Sequence, residues 1–261
     1  MIVALNPPRR DWRGLRCWIL GASSGIGAAL AQQLAQSGAC VALSARRREP
    51  LQAMAARFAP GRSMVLPLDL ADADAVARAA HELVAHWGAI DVVVVMAGDY
   101  RAMRAWDIDL AAARTMVEVN LMGAFNVLAA VVPAMLRQKS GTIALVSSVA
   151  GYCGLPKSLV YGPTKAALIN LAETLFLDLR PRGIGVCVVN PGFVKTPLTE
   201  QNDFRMPALI SAEEAAREIV AGFGRGEFEI HFPKRFTRVL RLLRLLPYRI
   251  YFSLIRRLVT R

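Results

Sequence analysis

Seven strand-length apolar runs alternate with helix-length segments along this chain, and that alternation constrains the fold more than any other feature. The runs are Arg16–Gly21, Cys40–Ala45, Ser63–Leu68, Asp91–Met96, Gly141–Ser147, Gly185–Asn190 and Glu227–Phe232. Between them, helical patterns cover Ala28–Ser37, Glu49–Phe58, Asp72 to about His86, Ala111–Lys139, Tyr161–Leu179 and Glu213–Gly222. A strand, a helix and a second strand join as a crossover, so the expected fold is α/β, a doubly wound parallel sheet with helices on both faces. Asp91-Val-Val-Val-Val-Met96 has almost no polar alternation, as in a central strand buried on both sides. The chain of 261 residues suits one such domain, expected over residues 1–232, with residues 233–261 as a helical extension.

In sheets of this kind ligands bind beyond the carboxyl ends of the strands. Gly21, Arg46, Asp69, Gly98, Ser148 and Pro191 all fall just past a strand, so the chemistry collects on one rim. Gly21-Ala-Ser-Ser-Gly25-Ile-Gly27 joins the first strand to the first helix, which Gly38 closes. Such a turn aims backbone N–H groups and a helix N-terminus at one point, where a pyrophosphate can sit. The second strand runs into Arg46-Arg47-Arg48. An acid there would hold the 2′-hydroxyl of NAD, whereas an arginine suits the 2′-phosphate of NADP. NADP(H) is therefore expected, held by Arg46 with Arg47 beside it, and NAD(H) is the alternative.

Tyr161 and Lys165 stand four residues apart, which places phenol and ammonium on one helix face. A lysine beside a tyrosine favours the phenolate and lowers the phenol's pKa from about 10. Such a tyrosine can give a proton to a substrate oxygen or take one back.

The net charge is +12, and nine Lys/Arg with no Asp/Glu lie between Lys234 and Arg261. Phe236, Val239, Leu240, Leu243 and Leu246 recur there at helical spacing, with Arg235, Arg238, Arg241 and Arg244 every third residue. Pro247 separates this segment from Tyr248–Leu258. A basic helix with an apolar face suits an anionic membrane surface. Packing on the body or against a second subunit is the alternative. Nucleic acid is not an expected partner, because the apolar share is too high for a phosphate-reading arm. Four scattered cysteines and three histidines give no metal-ligand spacing, and fit a cytoplasmic protein, at most peripheral on the inner face of the membrane. Met1–Arg13 holds no apolar run of signal-peptide length and no uninterrupted apolar stretch reaches about 18 residues, so neither a signal peptide nor a spanning helix is expected.

With these residues placed, the chain resembles the short-chain dehydrogenase/reductase family from about Gly14 to Phe232. The resemblance implies a Rossmann-type sheet, one NAD(P)(H), and hydride transfer between nicotinamide C4 and an alcohol or carbonyl carbon. It implies a cofactor turn of Gly21, Ser23, Ser24, Gly25, Ile26 and Gly27, and an adenine contact at Asp69 with Leu70. Ala97 and Gly98 would line the cofactor; Pro191, Gly192, Val194 and Thr196 would hold its carboxamide. Asn120, Ser148, Tyr161 and Lys165 match the catalytic tetrad. Ser148 would polarise the carbonyl, Tyr161 protonate it, and Lys165 stabilise the phenolate and bind the ribose hydroxyls. Asn120 would hold a local helix distortion and a water that links Lys165 to solvent. Ser147 is read instead as a backbone-bonded strand end.

The chain departs from the family's usual pattern at Leu20, where Thr is common, and at Val95-Met96, where two Asn are common. The hydrogen bonds of those polar side chains must then be made otherwise. Pro163 suits a helix that begins near Tyr161; an earlier start would leave one backbone hydrogen bond missing there. Leu155, Leu159, Phe193, Leu198 and the apolar extension suggest a lipophilic carbonyl or alcohol. The competing expectation is a dinucleotide-binding scaffold or redox sensor at the membrane surface. Homo-oligomers through the helices of Asn120 and Tyr161 are common in the family.

Overall fold

The computed structural model describes residues 4–201 and 206–259. In chain order the elements are β1 (Arg16–Leu20), α1 (Gly25–Gln36), β2 (Cys40–Ser44), α2 (Arg48–Ala55), β3 (Ser63–Val65), α3 (Ala73–Trp87) and β4 (Val92–Val95). There follow α4 (Leu110–Val117), α5 (Gly123–Gln138), β5 (Gly141–Val146), α6 (Tyr161–Leu179), β6 (Ile184–Pro191), α7 (Ala212–Arg225) and β7 (Glu229–Phe232). The extension forms α8 (Lys234–Leu243) and α9 (Tyr248–Val259). The strands make one parallel sheet in the order β3-β2-β1-β4-β5-β6-β7. The order reverses between β1 and β4, which opens a crevice at their carboxyl ends.

Successive strand residues point to opposite faces, and here both faces are apolar. Trp18, Leu20, Val93, Val95, Ile143 and Leu145 pack against α3, α5 and α6. Their neighbours Cys17, Ile19, Val92, Val94, Ala144 and Val146 pack against α1, α2 and α7. This double burial is why the strands read as continuous apolar runs. The stretch Leu110–Gln138 is long and apolar enough to cross a membrane. Here Val127, Val131 and Met135 in it are fully buried against the sheet.

Asp72 caps α3, accepting from the Ala75 N–H at 2.9 Å. Ser211 and Glu214 cap α7 reciprocally. Pro163 is the third residue of α6, so its missing N–H falls in the first turn, where no intrahelical acceptor exists. Several boundaries differ from the sequence reading by up to three residues. Strand β3 ends at Val65 rather than Leu68, although the Leu66 and Leu68 N–H groups still bond to the Leu43 and Ala45 carbonyls. The helical segment expected over Ala111–Lys139 carries the local distortion expected at Asn120: a π turn, Glu118–Met122, separates α4 from α5. The inner faces of α8 and α9 share the main core: Leu240, Leu243, Tyr251 and Ile255 are buried in the same cluster as α5 and α6.

Candidate active site

A cavity of about 620 Å³ lies over the carboxyl ends of the strands. Every residue expected to hold the cofactor or do chemistry lines it, with one exception: Asn120 is buried behind the wall.

One end of the cavity is built by close approach of backbone. At Gly21, φ is +100°, and a Cβ there would meet the Ala97 nitrogen at 2.7 Å. A Cβ on Gly27 would lie 2.1 Å from the Gly21 carbonyl oxygen, and one on Gly25 2.9 Å from Thr196 Cγ2. Ser24 caps α1 without a side-chain hydrogen bond, and the first turn holds no acid. Ser23, Ile26 and the three glycines thus line the cavity at a helix N-terminus, a cradle that fits a pyrophosphate. Arg46 and Arg47 are exposed on the cavity edge past β2, with no acid at the strand end. Asp69 accepts from the Ala71 N–H at 3.0 Å, which fixes the turn that carries Leu70.

The two departures from the family pattern are absorbed by the main chain. Leu20 and Val95 are buried in the core. The strand ends are tied by the Met96 N–H to the Leu20 carbonyl at 2.9 Å and the Gly21 N–H to the Ser44 carbonyl at 2.8 Å.

The other end is built from side chains. Tyr161 opens α6 and hydrogen-bonds the Ser148 hydroxyl, which itself accepts from the Ala150 N–H at 3.1 Å. One turn on, Lys165 Nζ donates to the Val146 carbonyl at 3.0 Å and lies 5.5 Å from the Tyr161 ring centroid. Asn120 accepts from the Asp99 N–H at 2.7 Å and donates to the Asp99 carbonyl and Thr164 Oγ1 at 2.9 and 3.2 Å. Gly98 lies between, where a Cβ would be 3.4 Å from both Asn120 Oδ1 and Lys165 Nζ. Ser147 is backbone-bonded, donating to the Lys165 carbonyl at 2.6 Å.

The expectation that Lys165 lowers the phenol's pKa is corrected. Burial pushes Tyr161 up to about 12, although the Ser148 hydrogen bond opposes the rise. Burial also brings Lys165 down to about 8. Tyr161 is therefore held as the protonated phenol near neutral pH, the form that donates. Ser148 and Tyr161 can together grip a carbonyl oxygen and protonate it.

A polar hub behind this end escaped the sequence reading. Glu229 on β7 accepts from Tyr152 Oη at 2.5 Å and Asn190 Nδ2 at 2.9 Å, and pairs with Arg241 of α8 at 3.2 Å. Tyr152 follows Ser148 by one turn, and Asn190 precedes Pro191, so the hub braces both walls of the catalytic end. No spacing rule links these positions; only the sheet order brings them together. Of the apolar residues singled out, Leu198 lines the cavity and Phe193 packs on Phe236 of α8, ring centroids 5.5 Å apart. Leu159 is partly exposed, whereas Leu155 packs against the core.

A family model described as short chain dehydrogenase matches residues 16–206. An uncharacterized oxidoreductase of Myxococcus xanthus is 36% identical over 242 residues, 92% of this chain and 96% of that one. A 3-oxoacyl-[acyl-carrier-protein] reductase of Thermotoga maritima is 36% identical over 221 residues, 82% of this chain and 86% of that one. The crystal structure of a short chain dehydrogenase from Burkholderia cenocepacia, in complex with NADP, superposes with a TM-score of 0.83. It is 25% identical, over 94% of this chain and 99% of that one. The chain belongs to the short-chain dehydrogenase family, and is an NAD(P)-dependent oxidoreductase that interconverts an alcohol and a carbonyl group.

Proposed function

We propose that the protein uses NADPH to reduce the carbonyl of a lipophilic ketone or aldehyde, in peripheral contact with an anionic membrane through residues 233–261. The observation that carries the reading is the Ser148–Tyr161 hydroxyl pair, set at one end of a cavity whose other end is the glycine cradle. NADPH would bind with its pyrophosphate on Gly21–Gly27 and its 2′-phosphate toward Arg46 and Arg47, and it supplies the hydride. Ser148 donates a hydrogen bond to the carbonyl oxygen, and Tyr161 gives that oxygen its proton. Lys165 binds the ribose hydroxyls and, as the ammonium, stabilises the phenolate left behind. Asn120 keeps the π turn open beside Lys165. The NADP held by the Burkholderia structure supports the cofactor. The Thermotoga relative's 3-oxoacyl substrate, a ketone on an acyl chain, supports a lipophilic carbonyl.

The test is fluorescence titration of NADPH and NADH against wild type and Arg46→Ala. NADPH should bind more tightly than NADH, and Arg46→Ala should weaken NADPH alone, by about tenfold. Equal affinity for both cofactors, unchanged by the substitution, would remove the NADP assignment. A homologous series of alkyl ketones should then show kcat/KM rising with chain length.

A further inference from the structure

We infer that the outward face of α8 and α9 is a docking surface for an anionic bilayer, set so that the substrate opening meets the membrane and lipophilic substrate enters from it. The inference deepens the membrane contact proposed above and rests on the lipophilic-carbonyl reading for what enters. The inner face of the extension is already spent. Leu240, Leu243, Tyr251 and Ile255 are buried on the body, and Tyr251 Oη donates to the Gly154 carbonyl. Phe236, Leu246 and Leu254 pack against the same core. Packing on the body thus accounts for four of the five residues read at helical spacing, and leaves Val239 and a set of apolar residues outside that pattern unexplained.

On the outer side, Val239, Leu242, Leu245, Tyr248, Ile250 and Phe252 are each half exposed or more. Val239 and Leu242 lie one turn apart on α8, Leu245 follows just past its end, and the rings of Tyr248 and Phe252 stack 5.7 Å apart on α9. Arg235, Arg238, Arg244 and Arg249 are exposed in the same segment, which has no acid. Apolar side chains bordered by arginines and interfacial aromatics match the acyl boundary and phosphate layer of an anionic leaflet.

The charge decides between occupants. A second copy docking through the same face would set arginines against arginines, because a two-fold contact is self-complementary only where charges pair. A leaflet of anionic headgroups has the opposite sign. The position decides what the docking is for. Phe236 of α8 packs on Phe193 and faces Gly192, which lines the cavity. Tyr251 of α9 holds Gly154, in the loop between Ser148 and Tyr161. Both helices therefore border the catalytic end.

The experiment is sedimentation of the full chain with vesicles of phosphatidylcholine alone and of phosphatidylcholine mixed with phosphatidylglycerol. Wild type should bind the mixed vesicles and release with salt. Leu242→Glu with Leu245→Glu should weaken that binding by about tenfold or more, and Arg238→Glu with Arg244→Glu should abolish the lipid selectivity. Both variants should keep wild-type NADPH-dependent turnover of a water-soluble ketone, which also reports that they fold, and lose turnover of a ketone dissolved in the vesicles. Equal binding to both vesicle types, or binding that neither variant changes, would overturn the docking surface. So would a soluble dimer that the leucine variant splits, in the absence of vesicle binding. No turnover of any ketone would overturn the oxidoreductase reading and leave the vesicle result to stand on its own.

Discussion

The two ends of the cavity are made of different material. The cofactor end is main chain held against main chain: at Gly21 and Gly27 a single added carbon would collide with backbone atoms at 2.7 and 2.1 Å. The catalytic end is side chains held by hydrogen bonds, Lys165 on the Val146 carbonyl and Ser148 on the Ala150 N–H, with Tyr152, Asn190, Glu229 and an arginine from the extension bonded together behind them. The difference teaches where rigidity comes from. A backbone cradle is fixed by steric exclusion and cannot be tuned gradually. A side-chain wall is fixed by hydrogen bonds that can be removed one at a time.

The largest effect should come from breaking the cradle. Gly27→Ala must push the turn away from the Gly21 carbonyl, at about 3 kcal/mol of stability and a loss of NADPH affinity of about a hundredfold. Thermal unfolding and cofactor titration check both. A variant with wild-type affinity would mean that the cradle yields like any other wall.

A middle-sized effect belongs to Lys165, at the catalytic end. Its buried ammonium titrates at about 8, down from 10.5. The charged form is present below that value and lost as pH rises through it. The kcat/KM for NADPH, which reports the free enzyme, should therefore fall about tenfold per pH unit above 8. Lys165→Met should be slow and flat over the same range.

The smallest effect should come from the side-chain wall. Glu229→Gln keeps an acceptor for Tyr152 and Asn190 but removes the charge that Arg241 pairs with. NADPH affinity should stay unchanged while kcat/KM for the carbonyl falls about fivefold, and Arg241→Ala should add little to it in a double-mutant cycle. Additive losses, or a change in NADPH affinity, would erase the distinction between the ends.

The same contrast explains what was legible in the sequence. The sheet was legible because strands buried on both faces lose all polar alternation, as Val92–Val95 do. The cradle was legible because only glycine tolerates such contacts, so steric need leaves a fingerprint. Tyr161 and Lys165 were legible because one helix turn links them. Glu229, Tyr152, Asn190 and Arg241 were not, since four separate elements deliver them and each is ordinary in its own stretch. The phenol's environment was also misread: two residues in sequence show that Lys165 is near Tyr161, but not that both are buried, and burial outweighs proximity here.

The π turn at Glu118–Met122 has a consequence for the helices on either side of it. An α-helix advances about 100° per residue, and a π turn inserts one residue into that rotation. It works as a phase slip between two otherwise coaxial screws. α4 can thus turn Ala112 and Met116 onto Met103 and the start of α6, while α5 keeps Val127, Val131 and Met135 on the sheet. Without the slip, one continuous stripe could face the loop or the sheet, but not each in turn, and Asn120 would rotate off the Asp99 backbone that it clasps from both sides.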